Sequence, residues 1–309
     1  MDGVESNALV DVAVDSGDAG ESPGAGEQRR VTQRFGIRAE FWDDVYQRSD
    51  VFARVHQWRL WLALALIERL GMPEGTRVLE VGCGAGHTAV ALAQRGFQVE
   101  AIDPTPALLQ IAGQHAAEAG VAARVRTLLG DAHQLPVEAA SVPLVVALGV
   151  IPWLHSPALA LQEMARVLKP GGYLVVNADH RHRFTFLFDP LRNPLLEPLR
   201  RAAKRVLGAV GLWQPRPEGV PVTYHTIAEF DRLVAAAGLE RLYGSTYGFG
   251  PFTMFGRRVL PQRLGVRVHL WLQGLADRRV PLLRSAGAQY LVVVRKPERL
   301  HEPPTEQQQ

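Results

Sequence analysis

Residues 76–96, TRVLEVGCGAGHTAVALAQRG, constrain the chain more than any other stretch. A short apolar run, Val78, Leu79 and Val81, leads into Gly82-Cys83-Gly84-Ala85-Gly86. Helix-forming residues follow from 88 to 94, and Gly96 stops them. This spacing predicts a strand, a glycine loop and a helix in that order. Glycines at 82, 84 and 86 let backbone come close to a ligand in conformations barred to other residues. The helix start beyond them offers unpaired N–H groups and the positive end of a dipole. A nucleotide-like ligand is the first implication.

The rest of the chain repeats the same rhythm. Strands are expected over 97–102, 125–129, 144–150 and 173–177, with helices over 106–118 and 157–168 between them. Strands alternating with helices predict an α/β fold with a doubly wound parallel sheet, covered on both faces. Residues 1–28 and 300–309 carry too little apolar content to fold and read as disordered tails. The remainder, 29–299, reads as one domain, since 309 residues at 47% hydrophobic content can bury a full core. Within it, 29–75 are N-terminal helices, with Phe41, Trp42, Val45, Tyr46, Trp58, Trp61, Leu62 and Ala65 at helical spacing; Trp61 is expected in the core. Residues 76–178 form the ligand-binding core. Insertions at 179–225 and 247–288 flank a helix opened by a capping box, Thr226 to Glu229, and closed at Gly238. Two further strands are expected over 239–246 and 289–295.

The glycine loop admits two ligand classes. Gly84-Ala85-Gly86-His87-Thr88-Ala89 satisfies the dinucleotide fingerprint, which points to an NAD(P)-dependent oxidoreductase. Against this, the strand ends at Val81 and leaves Gly82-Cys83 as an extra loop. Acids also stand at successive strand ends: Glu80, Asp103 and Asp131. A carboxylate at Asp103 suits a ribose diol, one at Asp131 an exocyclic amine, and Glu80 an ammonium-bearing cation.

Four segments then carry a resemblance: VLEVGCGAG (78–86), AID (101–103), GDAHQLP (130–136) and EMARVLKPGGYLVV (163–176). In them the chain resembles the class I S-adenosylmethionine-dependent methyltransferases, of the small-molecule, type 11-like group. The resemblance implies a Rossmann-like, mostly parallel seven-stranded sheet whose last strand is antiparallel, with helical insertions after strands 5 and 6. It implies S-adenosyl-L-methionine as cofactor, with Gly82, Gly84 and Gly86 along its methionine part. Asp103 would hold the ribose, and Asp131 with Ala132 the adenine. Glu80 would act indirectly, and Cys83, Pro104 and Leu148 complete the expected set. Two places depart from the pattern: Val142-Pro143 replaces the usual Phe-Asp before the fourth strand, and Ile151-Pro152-Trp153-Leu154-His155 lacks the paired histidines.

Methyl transfer needs in-line approach of a nucleophile, and a base where the acceptor is a hydroxyl. His155 after the fourth strand is the first candidate base and His180 after the fifth is the second. Asp179, His180, His182 and His225 can be read as metal ligands, but close histidines are common on a polar loop, so no metal is expected. The aromatic residues from Phe184 to Phe188 and from Tyr243 to Phe255 read mostly as core. Residues 195–213 form a basic amphipathic segment, read as a lid on the sheet in preference to a peripheral membrane contact.

The net charge of +3 conceals an acidic start and a basic end, with twenty Lys/Arg against ten Asp/Glu over 181–309. That basic third lacks interleaved stacking aromatics, which argues against nucleic acid. The single cysteine, Cys83, excludes an internal disulfide and reads as a small buried loop residue. No signal peptide is visible, and the run 60–67 is too short to span a bilayer, so a cytoplasmic protein is expected. The leading reading is methyl transfer to a small, fairly hydrophobic acceptor, at oxygen, in specialised or lipid/quinone-type metabolism. The alternatives are the oxidoreductase and a catalytically silent cofactor-binding or membrane-surface protein. No obligate protein partner is evident.

Overall fold

The computed structural model describes residues 24–211 and 222–298. The expected tail positions 1–23 and 300–309, and the end of the 195–213 segment, lie outside the described residues. Seven strands build one sheet: β1 (Arg77–Val81), β2 (Gln98–Asp103), β3 (Val125–Leu129), β4 (Val142–Ala147), β5 (Leu168–Asp179), β6 (Glu240–Tyr247) and β7 (Gln289–Arg295). Their order is β3-β2-β1-β4-β5-β7-β6. The first five pair in parallel, and β7 runs antiparallel to both β5 and β6. This is the expected architecture.

The helices are α1 (Ala25–Ile37), α2 (Ala39–Asp44), α3 (Val51–Arg69), α4 (His87–Ala93), α5 (Pro106–Glu118), α6 (Pro157–Val167), α7 (Phe184–Leu187), α8 (Glu197–Ala209), α9 (Ile227–Ala236) and α10 (Gln262–Asp277). The capping box forms as its sequence demands. Thr226 Oγ1 accepts from the Glu229 N–H at 3.1 Å, and Glu229 Oε2 accepts from the Thr226 N–H at 2.8 Å. In β4 every side chain from Leu144 to Ala147 is buried. Val145 packs with Leu161, Met164 and Phe230 on one face, while Leu144 and Val146 pack with Ile67 and Leu92 on the other. That two-sided burial explains the unbroken apolar run.

Several boundaries differ from the sequence expectation. β4 stops at Ala147 because Gly149, at φ +79°, turns the chain away from the sheet. Pro143 falls where the β4–β5 register shifts, so its missing donor disrupts no regular ladder bond. The Lys169–Gly172 stretch is part of β5, not a turn before it, and the Gly171 N–H bonds to Lys296 O. Order begins before the expected end of the N-terminal tail at 28: α1 begins at Ala25, and Gln28 is buried.

Trp61 is 58% exposed, contrary to expectation. The buried stripe of α3 runs through Val55, Arg59, Ala63, Leu66 and Ile67; Trp61 lies off it and meets Trp58 at a tilt of 47°, centroids 5.0 Å apart. Helix α8 has no buried residue, with Leu199, Val206 and Leu207 exposed and Leu195 and Val210 exposed at its two ends, so it is not docked on the sheet. Insertion 247–288 holds α10 and a ribbon of Thr253–Met254 with Arg257–Arg258. Among the described residues no helix is long and apolar enough to cross a membrane.

Candidate active site

In an open α/β sheet the ligand crevice lies outside the carboxyl ends of the parallel strands. Here those ends border a cavity of about 460 Å³, roofed by α1, α2 and α3. Its volume suits a small-molecule site, for which roughly 300–1,000 Å³ is typical. Glu80, Gly82, Cys83, Gly84, Asp103, Pro104, Asp131, Ala132 and Leu148 all line it. Gly86 does not; it lies behind the wall against Ala112 of α5.

At the end of β2, Asp103 is buried and ties two loops together. Its Oδ2 accepts from the Gly84 N–H and its Oδ1 from the Thr105 N–H, both at 2.9 Å. Burial pushes its carboxyl upward against the pull of those two donors. Each oxygen keeps a lone pair for a ligand. Gly84 sits at φ +52° with nothing within 4 Å of where a Cβ would stand, an open cradle on the cavity side.

Glu80 is buried to 2% exposure, and its Oε2 has no hydrogen-bond partner. Burial above all, with the charge of Asp103 adding, raises its carboxyl to about 8 against the opposing bond from Thr88. Burial also pushes the Cys83 thiol well above its usual range, so it is an inert wall and not a redox centre. At the end of β3, Asp131 Oδ1 accepts from both the backbone N–H and Nδ1 of His133, at 2.8 and 2.7 Å. Burial acts to raise Asp131, but the bonds and charge of His133 outweigh it and the net shift is downward. His133 in turn stacks on His155, with centroids 3.9 Å apart.

The other half of the cavity is aromatic and cationic. Phe35 stacks on Trp42 at 5.0 Å and meets Trp153 edge-on at 5.1 Å. Arg34, Arg38, Arg59, Arg183 and Arg192 all reach this lining. Arg59 is 6% exposed; its Nη2 donates to the Tyr46 hydroxyl at 3.0 Å, and its Nε has no partner. A Cβ at position 149 would stand 2.4 Å from Arg59 Nη1, so the glycine there is what admits the guanidinium. His56 donates from Nδ1 to the Phe52 carbonyl at 2.9 Å. Burial, then the neighbouring Arg59, drives it down to about 3, and it is neutral at working pH. At the end of β5, Asp179 accepts from Arg183 Nη2 at 2.9 Å and from Gln289 Nε2 at 3.1 Å.

Residues 79–176 match the family model described as a methyltransferase domain. The ubiquinone biosynthesis O-methyltransferase of Alkalilimnicola ehrlichii is 32% identical over 186 residues, covering 58% of this chain and 67% of the relative. That of Ralstonia nicotianae is 27% identical over 237 residues, 77% of this chain and 83% of the relative. The chain belongs to the class I S-adenosylmethionine-dependent methyltransferases. The fold agrees: magnesium protoporphyrin IX methyltransferase from Synechocystis PCC 6803, with bound SAH, superposes at a TM-score of 0.59 with 15% identity, over 87% of this chain and 99% of that one. Membership sets aside the oxidoreductase and the silent binding protein.

In this methyltransferase neither expected base lies in the cavity wall. The chain leaves β4 early, and the turn Ile151–Trp153 sends Trp153 and Leu154 to the cavity. His155 is left outside, against His133 and Gln28. His180 follows Asp179 on β5, and strand alternation sends it to the opposite side. There it is buried with Nδ1 on the Gly287 carbonyl at 3.1 Å, and burial lowers it to about 4. His155→Ala is expected to leave kcat for methyl transfer within about threefold of the parent, measured at saturating acceptor. A loss on the order of 100-fold would restore it as a base.

Sequence reasoning gives Arg59 and His56 no role, marks Tyr46 only by its helical spacing and suggests Asp179 only as a metal ligand. The signal for Arg59 was present as one charge inside the apolar run WRLWLALALI. The value of Glu80 carries a pH consequence. A carboxyl raised from 4.5 to about 8 in the fold lowers stability progressively as pH climbs between those values. It also holds a proton at pH 7 that a cationic ligand must displace. S-adenosylmethionine affinity, followed by calorimetry from pH 6.5 to 8.5, is therefore expected to rise by about tenfold, and Glu80→Gln to flatten the rise. An equally steep rise in Glu80→Gln would assign it to another group.

Proposed function

We propose that this methyltransferase methylates an ionisable hydroxyl on a small, largely apolar, quinone-type acceptor, with Arg59 holding the acceptor oxygen as its anion. The observation that carries the reading is the buried Arg59 guanidinium, its Nε unpartnered, lining the same cavity as Asp103, Asp131 and the glycine loop. Two relatives named for ubiquinone biosynthesis support the acceptor class.

The residues present fit the cofactor. Glu80 Oε2 is an orphaned buried acceptor, and Gly84 is an open cradle beside it. Asp103 would accept from the ribose hydroxyls, Asp131 from the adenine amine, and Glu80 would face the cationic end. When bound, S-adenosylmethionine supplies an electrophilic methyl group on a sulfonium sulfur. The chain's own part is to orient the acceptor between the aromatic walls and exclude water from it. Arg59 favours the deprotonated hydroxyl, whose proton passes to solvent, so that no side chain at this position need take it up. His56, driven down to about 3, is a weak proton acceptor, which places the burden on Arg59.

The test is incubation of the purified full chain with S-adenosylmethionine and prenylated catechol or hydroxyquinol acceptors, with products located by mass spectrometry and NMR. An O-methyl product is expected. Methylation of matched amines or thiols alone would overturn the reading.

A further inference from the structure

We propose that Asp43, His87 and His115 form a binding site for a divalent cation of the zinc class, which fastens helix α2 to the glycine loop. The three come from α2, the first residue of α4, and α5. His87 Nε2 lies 3.1 Å from Asp43 Oδ1, and His115 Nε2 lies 3.3 Å from the same oxygen. The imidazole centroids are 4.9 Å apart, and one donor atom from each residue falls within 4.8 Å of the others. With metal–ligand bonds of about 2.0–2.2 Å, a tetrahedral zinc site spaces its ligand atoms by ~3.3 Å. The two imidazole–carboxylate separations already stand at that spacing. The Asp43 carbonyl, 3.1 Å from His87 Nε2, brings a further oxygen to the same spot.

The hydrogen bonding of His115 points the same way. Its Nδ1 lies 2.9 Å from the Ala85 carbonyl, which can only accept, so that nitrogen carries the proton. In a neutral ring Nε2 then presents a lone pair directly to the Asp43 carboxylate oxygen. Two acceptors facing each other repel, and a cation between them turns the contact favourable. A backbone carbonyl on the far nitrogen is also how metal-binding imidazoles are oriented. Two imidazoles and one carboxylate suit zinc, cobalt or nickel ahead of magnesium or calcium. The side chains are 20 to 25% exposed, which leaves an entry path from solvent. The histidines weighed as ligands in the sequence, His180, His182 and His225, form no such group; among the described residues the three-donor cluster is this one.

Helix α2 carries Phe41 and Trp42 into the cavity roof, while Ala85 belongs to the glycine loop. An ion at Asp43, His87 and His115 therefore clamps roof to floor at the rim. The test is calorimetric titration of the chelator-treated full chain with zinc chloride, repeated with cobalt(II) to read the visible spectrum of a four-coordinate site. One equivalent should bind with micromolar or tighter affinity. His115→Gln and Asp43→Asn should each weaken it by at least about tenfold, while exposed His182→Gln leaves it unchanged. Zinc should raise the unfolding temperature of the parent and not of His115→Gln. Should Asp43→Asn fail to fold, His115→Gln, with its partly exposed ring, decides the matter alone. Absence of binding, as a proton shared by Asp43 and His115 would give, overturns the proposal. So does undiminished affinity in natively folded His115→Gln.

Discussion

Replacing Asp103 by alanine is expected to weaken S-adenosylhomocysteine binding by at least tenfold, measured by calorimetry on protein with native circular dichroism. Asp103 is held by the Gly84 and Thr105 N–H groups, which fix both oxygens while leaving each a further lone pair. A bond to a charged acceptor contributes about 1.5–3 kcal/mol, and each 1.4 kcal/mol is tenfold in affinity. Loss of one ribose bond therefore accounts for about tenfold, and loss of two for about 100-fold or more. Asp103→Asn keeps one oxygen acceptor and is expected to fall between parent and alanine. Unchanged affinity in Asp103→Ala would remove this carboxylate from the cofactor site. A parallel titration with NADH should show no binding to the parent.

Arg59→Gln is expected to lower kcat/KM by about 100-fold, or about 2.7 kcal/mol of transition-state stabilisation. The effect follows from charge at one place. A cation within ~4–6 Å lowers an acidic group by about one to three pH units, so on the proposed reading a larger share of the acceptor is ionised at a given pH in the parent. Without the cation, the ionised fraction at a given pH falls, and the rising limb of the pH–rate profile moves to alkaline pH by at least about one unit. Affinity for S-adenosylhomocysteine should stay within about threefold of the parent, which separates lost acceptor activation from a disturbed fold. Arg59→Lys keeps the charge without the planar fork and should recover part of the rate. An unmoved limb in Arg59→Gln would show that the guanidinium does not act on the acceptor oxygen.

The strand-end half of the cavity is legible because local sequence determines it. A glycine loop between an apolar strand and a helix, and an acid at each strand end, are short-range patterns whose geometry the parallel sheet enforces. β3 and β7 fall on their expected limits, 125–129 and 289–295, with Gly130 just after the first and Pro297 shortly after the second. The aromatic half is not legible, and each difference is small in sequence and large in space. Trp61 was placed inside, whereas Arg59, two residues earlier, is the buried one. His155 was chosen where Leu154 reaches the cavity, and His180 where Asp179 does. Residue type marks what a side chain can do. Which way it faces depends on where a strand stops, and Gly149 stops β4 earlier than its apolar run suggests.

The two halves of the cavity draw on different parts of the chain. One side is assembled from loops at the ends of the parallel strands, as at Gly84, Asp103 and Asp131. The opposite side borrows from the N-terminal helices and from single stops on the insertions: Arg183, Arg192, Val222, Tyr224 and Pro251. Such a molecule resembles a fixed socket with an exchangeable collar. On the proposed reading, recutting the collar between positions 183 and 192 changes what is methylated while the strand-end side stays as it is. The same sheet could in this way serve many acceptors without being rebuilt.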